Sequence, residues 1–122
     1  MYDIFISYNW NVKKQVKLLH EILTNLNYKV WRDEKELNAG NNSLTAELAN
    51  AIKTSKIFLS CVTKDYCKSY NCNLEVEFAN QSKKSMIILM IDRLDPTEIH
   101  EIKINDRDQK SGIGLIIRYY FN

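Results

Sequence analysis

Lys56-Ile57-Phe58-Leu59-Ser60-Cys61-Val62 decides the fold. The run is too short and too evenly apolar to form one stripe of a helix, and it lacks the in-out alternation of a half-exposed strand. It reads as a strand over 56–62 that is covered on both faces. Met86-Ile87-Ile88-Leu89-Met90-Ile91 repeats the pattern in its most hydrophobic form. Upstream, Ile4, Phe5 and Ile6 within 2–7 form a third such run before the polar break Tyr8-Asn9-Trp10-Asn11.

Between these runs the period changes. Val12, Val16, Leu19, Leu23 and Leu26 recur at spacings of four and three, which predicts an amphipathic helix reaching about Asn27. A strand over 28–31 follows, then a polar stretch over 32–42 containing Ala39-Gly40-Asn41-Asn42, which reads as an exposed loop. Ser43 or Asn42 is placed to cap the next helix, whose inner face is Leu44, Leu48 and Ile52. Residues 63–71 read as a loop and 73–82 as a short helix. Beyond Asp92 the pattern predicts a weak edge strand over 98–104 and a terminal helix over 111–121, with Ile113, Ile116, Ile117 and Tyr120 inward. Alternating strands and helices with buried strands predict an α/β flavodoxin-like three-layer sandwich. Its parallel sheet has four to five strands in the order 2-1-3-4-5, with helices on both faces. Strand order reverses between the first and third strands, and ligands of open α/β sheets bind at that point, outside the carboxyl ends of the strands. Tyr8, Asn9 and Trp10 then face the segment carrying Glu75 across one crevice.

A chain of 122 residues with 45% hydrophobic residues fits a single domain over 1–122. The net charge of +2 gives no reason to expect nucleic-acid binding, and Lys13-Lys14-Lys17 and Lys83-Lys84 read as solvated helix faces. No stretch approaches the roughly 20 apolar residues of a membrane span, so no membrane contact is expected. Cys61, Cys67 and Cys72 are an odd count without zinc spacing, which fits reduced thiols in a soluble cytoplasmic protein and no metal. No G-x-G-x-x-G or Walker loop occurs, which removes Rossmann dehydrogenases and P-loop hydrolases. A Cys-His nucleophile pair is disfavoured because Cys61 falls inside a strand, while His20 and His100 lie on a helix and a late loop. Receiver domains share the strand order but need an acidic cluster after the first strand, where Asn9 and Trp10 stand instead.

Three motifs, in order, resemble the TIR domain, the Toll/interleukin-1 receptor/resistance-protein module, over essentially the whole chain. Tyr2-Asp3-Ile4-Phe5-Ile6-Ser7-Tyr8 resembles its first box. Asp33, Leu37-Asn38-Ala39-Gly40, Ala51-Ile52 and Ser55 resemble its BB loop region and the helix behind it. Cys72-x-x-Glu75-x-x-x-Ala79 is similar to the segment bearing the catalytic glutamate of NAD-cleaving members. The resemblance implies hydrolysis of NAD⁺, as substrate and with no cofactor, to nicotinamide and ADP-ribose or a cyclic form. It also implies activation by self-association through the loop 32–42, contacts with other TIR domains, and a place in innate-immune or cell-death-type signalling. Other members are non-enzymatic homotypic assembly modules, which is the alternative. Glu75 is the implied catalytic residue. Tyr8, Asn9, Trp10, Trp31, Arg32, Asp33, Leu37, Asn38, Gly40, Asn71 and Cys72 are the implied substrate-binding set. The chain departs from the pattern at Asn9-Trp10, where basic residues are common, at Asn38 for an acid, and at Asn71 for a plant-type Trp.

The chemistry is compatible with one carboxylate. The departing pyridinium is already cationic and leaves neutral, so it needs no general acid, and a carboxylate can oppose the charge of an oxocarbenium-like transition state. Glu77, about 200° around the helix from Glu75, reads as a surface residue. At the expected start of a helix, Glu75 feels opposing influences: a closed crevice raises its pKa and the helix N-terminus lowers it. The plainer reading of an acid there is a contribution to helix stability of a few tenths of a kcal/mol.

Overall fold

The computed structural model describes residues 1–33 and 44–91, and the backbone of 114–118. Five parallel strands form one sheet in the order β2-β1-β3-β4-β5: β1 Tyr2–Tyr8, β2 Val30–Arg32, β3 Ser55–Val62, β4 Ser85–Met90 and β5 Gly114–Arg118. The helices are α1 Lys13–Asn25, preceded by a 3₁₀ turn Trp10–Val12, then α2 Ala46–Thr54, α3 Lys64–Lys68 and α4 Tyr70–Gln81. The expected flavodoxin-like α/β sandwich is the fold found.

Each face of the sheet has its own core. Ile4, Ile6, Tyr8, Leu59, Cys61 and Leu89 pack beneath Val12 and Val16, so α1 covers one face. Phe5, Phe58, Val62, Met86, Ile88 and Met90 pack with residues of α2, α3 and α4 on the other. This division follows from right-handed crossovers: β1 to β2 runs one way along the sheet, and β2 to β3 and β3 to β4 run the other. Phe5 lies between Trp31, 5.0 Å away, and Phe58, 5.4 Å away, with the three rings nearly parallel. Both α1 and α4 end in a Schellman turn. Tyr28 N–H reaches Leu23 C=O and Asn27 N–H reaches Thr24 C=O after α1; Lys84 and Lys83 make the equivalent bonds to Ala79 and Asn80 after α4.

Several boundaries differ from the sequence expectation for physical reasons. The terminal helix over 111–121 is corrected: Gly114–Arg118 is a strand paired with β4. Leu115-Ile116-Ile117 is a continuous apolar run whose spacing also satisfied a helical period, an ambiguity that short runs carry. Residues 63–71 contain the helix α3, a single capped turn too short to show periodicity. Its cap is Thr63, whose hydroxyl accepts from Tyr66 N–H at 3.0 Å. The cap of α2 is Thr45, accepting from Leu48 N–H at 3.2 Å; Asn42 and Ser43 lie outside the described residues, as does the edge strand over 98–104. Leu26 stands 61% exposed at the end of α1 and does not join its inner stripe. Lys84 is half-buried rather than fully solvated, and its ammonium donates to the carbonyls of Lys53 at 2.6 Å and Ser55 at 2.8 Å, where α2 ends.

Phe5→Ala empties the centre of the ring stack on β1, the strand that leads into the crevice. A loss of about 3–5 kcal/mol in unfolding free energy is expected, measured by urea denaturation.

Candidate functional site

The carboxyl ends of β1 and β3 open into a cavity of about 320 Å³ at the point where strand order reverses. Its size falls at the lower end of the range for ligand pockets, roughly 300–1,000 Å³. Tyr8, Asn9 and Trp10 line it from the end of β1, Asp33 from the end of β2, and Asn71, Cys72 and Glu75 from α4. The crevice expected between the end of β1 and the Glu75 segment is therefore present. Ile6, Asn11 and Ser69 complete the lining.

Local structure holds these groups in place. Asn9 caps the 3₁₀ turn by accepting from Asn11 N–H at 3.0 Å, and Asn11 Nδ2 donates to Asp65 Oδ2 at 2.5 Å, tying the end of β1 to α3. Tyr8 Oη donates to the carbonyl of Asp33, which joins the ends of β1 and β2. Ser69 caps α4 by accepting from Cys72 N–H at 3.2 Å. Asn73 Nδ2 donates to the carbonyls of Cys67 and Ser69 at 3.1 and 2.9 Å, fixing the angle between α3 and α4.

Because α4 begins at Tyr70, Glu75 is not the helix-start acid the sequence implied. It sits in the second turn, where the pull of the helix N-terminus has largely faded. It is only 9% exposed and lines the cavity from α4. Ser7 on β1 and Ser60 on β3 lie in register with each other, both fully buried. The Tyr66 hydroxyl is 2.8 Å from Ser7 Oγ, and Ser7 hydrogen-bonds the Glu75 carboxyl. Burial pushes the Tyr66 phenol well above its ordinary value, with Cys72 and Glu75 adding to the effect, so it is a neutral donor. Either hydroxyl can donate in the Ser7–Tyr66 pair; when Tyr66 donates, the Ser7 O–H is left to donate to Glu75.

Burial dominates the acidity of Glu75. Loss of hydration raises its pKa from 4.5 to about 8, the Ser7 hydrogen bond opposes the rise, and the nearby Asp33 carboxylate reinforces it. The opposition between burial and the helix N-terminus thus resolves in favour of burial. The Cys72 thiol is likewise pushed far up, first by burial and then by Glu75, which leaves it a neutral packing group. Glu77 is exposed, as its position two residues on implied.

Two members of the expected substrate-binding set are elsewhere. Trp31 does not line this cavity; its ring stacks on Phe5 and packs against the core on the α2 and α4 side. Arg32 lines a neighbouring cavity, and its Nε donates to His20 Nδ1 at 2.9 Å. Leu37, Asn38 and Gly40 lie outside the described residues. Ser7 and Tyr66 were not legible as site residues, since Tyr66 fell in an expected loop. The one available signal was a serine placed inside the apolar run of β1.

The sequence matches the family model for the TIR domain over residues 4–116. The chain belongs to the TIR domain family. Among solved structures, this TIR domain is similar to that of the Toll-related receptor TRR-2 from Hydra magnipapillata. That alignment has a TM-score of 0.64 and 16% identity, over 93% of this chain and 92% of the other. It is also similar to the TIR domains of the activated Roq1 resistosome, which directly recognises the pathogen effector XopQ. There the TM-score is 0.66 and the identity 23%, over 93% of this chain and 77% of the other. At these identities the likeness establishes the fold. No curated protein matches the chain. Among the described residues, no helix of this TIR domain is long and apolar enough to cross a membrane.

The raised pKa of Glu75 makes stability depend on pH. Between pH 4.5 and about 8 the folded chain holds a proton on Glu75 that the unfolded chain has lost, so this residue lowers stability progressively as pH rises through that window. Glu75→Gln removes the ionisation while keeping the shape. The variant is expected to be more stable than the parent at pH 8 by on the order of a few kcal/mol, with the difference closing toward pH 4.5, in denaturant titrations across that range.

Proposed function

We propose that this TIR domain is an NAD⁺ glycohydrolase, cleaving NAD⁺ to nicotinamide and ADP-ribose or a cyclic ADP-ribose, with Glu75 as its catalytic residue. The supporting observation is a single buried carboxyl group on the floor of a cavity at the switch point of the sheet. Nothing in this reaction needs two carboxylates, because the nicotinamide leaves as a neutral base. Glu75 accepts hydrogen bonds from the ribose hydroxyls and opposes the charge that develops on the sugar. Its high pKa suits a cationic substrate. A pyridinium entering beside it restores the favourable environment that burial removed, so binding drives off the proton and leaves the carboxylate facing the scissile bond. Asp33 adds a second negative charge to the same end of the cavity, and Trp10 and Tyr8 offer aromatic surface to the nicotinamide ring.

In this reading activity is switched on by self-association, with the loop over 32–42 as the contact, and the output is innate-immune or cell-death-type signalling in the cytoplasm. The TIR domains of the Roq1 resistosome are structural relatives that work within an activated assembly. A second reading, a non-enzymatic homotypic assembly module, is favoured by one observation. Leu18, Ile22 and Leu26 form an outward stripe on α1, respectively 51%, 48% and 61% exposed. Apolar side chains at spacings of four on an exposed helix face suit a partner helix.

Nicotinamide release from NAD⁺ by concentrated protein separates the two. Glycohydrolase activity is expected, rising with pH toward a midpoint near 8 in kcat/KM and falling by about 10²–10³ in Glu75→Ala. Self-association without release at any concentration supports the assembly module instead.

A further inference from the structure

A second cavity, of about 550 Å³, adjoins the first and shares Tyr8 and Trp10 with it. The rest of its described lining is cationic: Lys13, Lys14 and Lys17 from the first turns of α1, and Arg32 from the end of β2. These charges stand against local preference. The first turn of α1 holds no acid, and Lys13 and Lys14 open the helix at the positive end of its dipole. Lys13 and Lys17 are a like-charged pair four residues apart, which further destabilises the helix. Among the described residues no carboxylate pairs with Lys14 or Lys17, and the Lys13 ammonium lies over the Trp10 ring at 5.0 Å, held at the border between the two cavities. A sequence that breaks several local rules at one place, without compensation among the described residues, marks a functional site.

We propose that this basic cavity is an anion subsite, and that it takes the diphosphate of the dinucleotide whose nicotinamide end meets Glu75. The assignment rests on the glycohydrolase reading for the identity of the ligand, while the charge distribution supports it independently. NAD⁺ carries a cationic ring at one end and two phosphates along its length. The protein offers Glu75 and Asp33 in one cavity, and four cations in the next, with Trp10 between them. Only one orientation of the ligand satisfies both ends. The lysines therefore take the place of the basic residues that Asn9 and Trp10 displace after the first strand, from one turn further along the chain.

The test measures binding, not turnover, by isothermal titration of the full chain carrying Glu75→Gln with ADP-ribose and, separately, inorganic pyrophosphate. Both are expected to bind, ADP-ribose the more tightly. Lys14→Glu with Lys17→Glu is expected to weaken both by about tenfold or more. Lys53→Glu with Lys56→Glu, the same charge change near the opposite end of the strands, is expected to leave both within about twofold. Equal loss in the two double variants overturns the proposal, because it reduces the effect to net charge. Pyrophosphate binding with no gain for ADP-ribose overturns the dinucleotide assignment. Lysine-dependent ADP-ribose binding in a protein that releases no nicotinamide upholds the subsite while the glycohydrolase reading fails, so the two failures are distinguishable.

Discussion

The burial of one carboxyl group is the constraint on which the site depends. Glu75 sits against Ser7 at the end of β1, with Tyr66 behind it, in a layer where every neighbouring position of the sheet is apolar or a small hydroxyl. An acid in such a place costs stability, since water is removed from it and a single hydrogen bond does not replace the lost hydration. The fold tolerates this because the sheet is anchored elsewhere, by the Trp31, Phe5 and Phe58 stack on one face and the α1 contacts on the other. The arrangement becomes favourable when a positive charge arrives, and a cationic leaving group is such a charge.

The geometry also explains why the two cavities belong together. Strand order reverses at β1, so the chain leaving β1 turns toward α1 while β3 delivers its successors to the opposite face. Trp10 stands at that divergence. On one side the end of β2 and the second turn of α4 contribute Asp33 and Glu75; on the other the first turns of α1 contribute ammonium groups. The polarity of the site is thus a product of topology: α1 and α4 start on opposite faces of the sheet, and the end of β2 supplies Arg32 to the basic side and Asp33 to the acidic side.

Much of this was legible in the sequence. The continuous apolar runs of β3 and β4 declare buried parallel strands, and parallel strands with intervening helices restrict the strand order to a few choices. Strand order sets Tyr8, Asn9 and Trp10 across one crevice from the Glu75 segment, the resemblance to TIR domains adds Asn71 and Cys72, and all six line one cavity. What the sequence did not disclose depended on three-dimensional neighbours. The start of α4 at Tyr70 precedes the 73–82 that the sequence predicts because Tyr70 and Asn71 carry no helical signal, whereas Ser69 makes a cap visible only once its bond to Cys72 is seen. Trp31 was indistinguishable from a ligand platform until its ring was found on Phe5. The strand at 114–118 was hidden because its apolar residues satisfied two periods at once.

The acidity of Glu75 is the property that the chemistry, the stability profile and the orientation of the ligand all share. The most direct test is a site-resolved titration of its side-chain carboxyl carbon by NMR, in the folded protein, alone and with a saturating nicotinamide-bearing dinucleotide. A midpoint near 8 is expected for the protein alone and a lower one when the cationic ring is bound. A midpoint near 4.5 in the folded protein, unmoved by the ligand, would contradict that expectation.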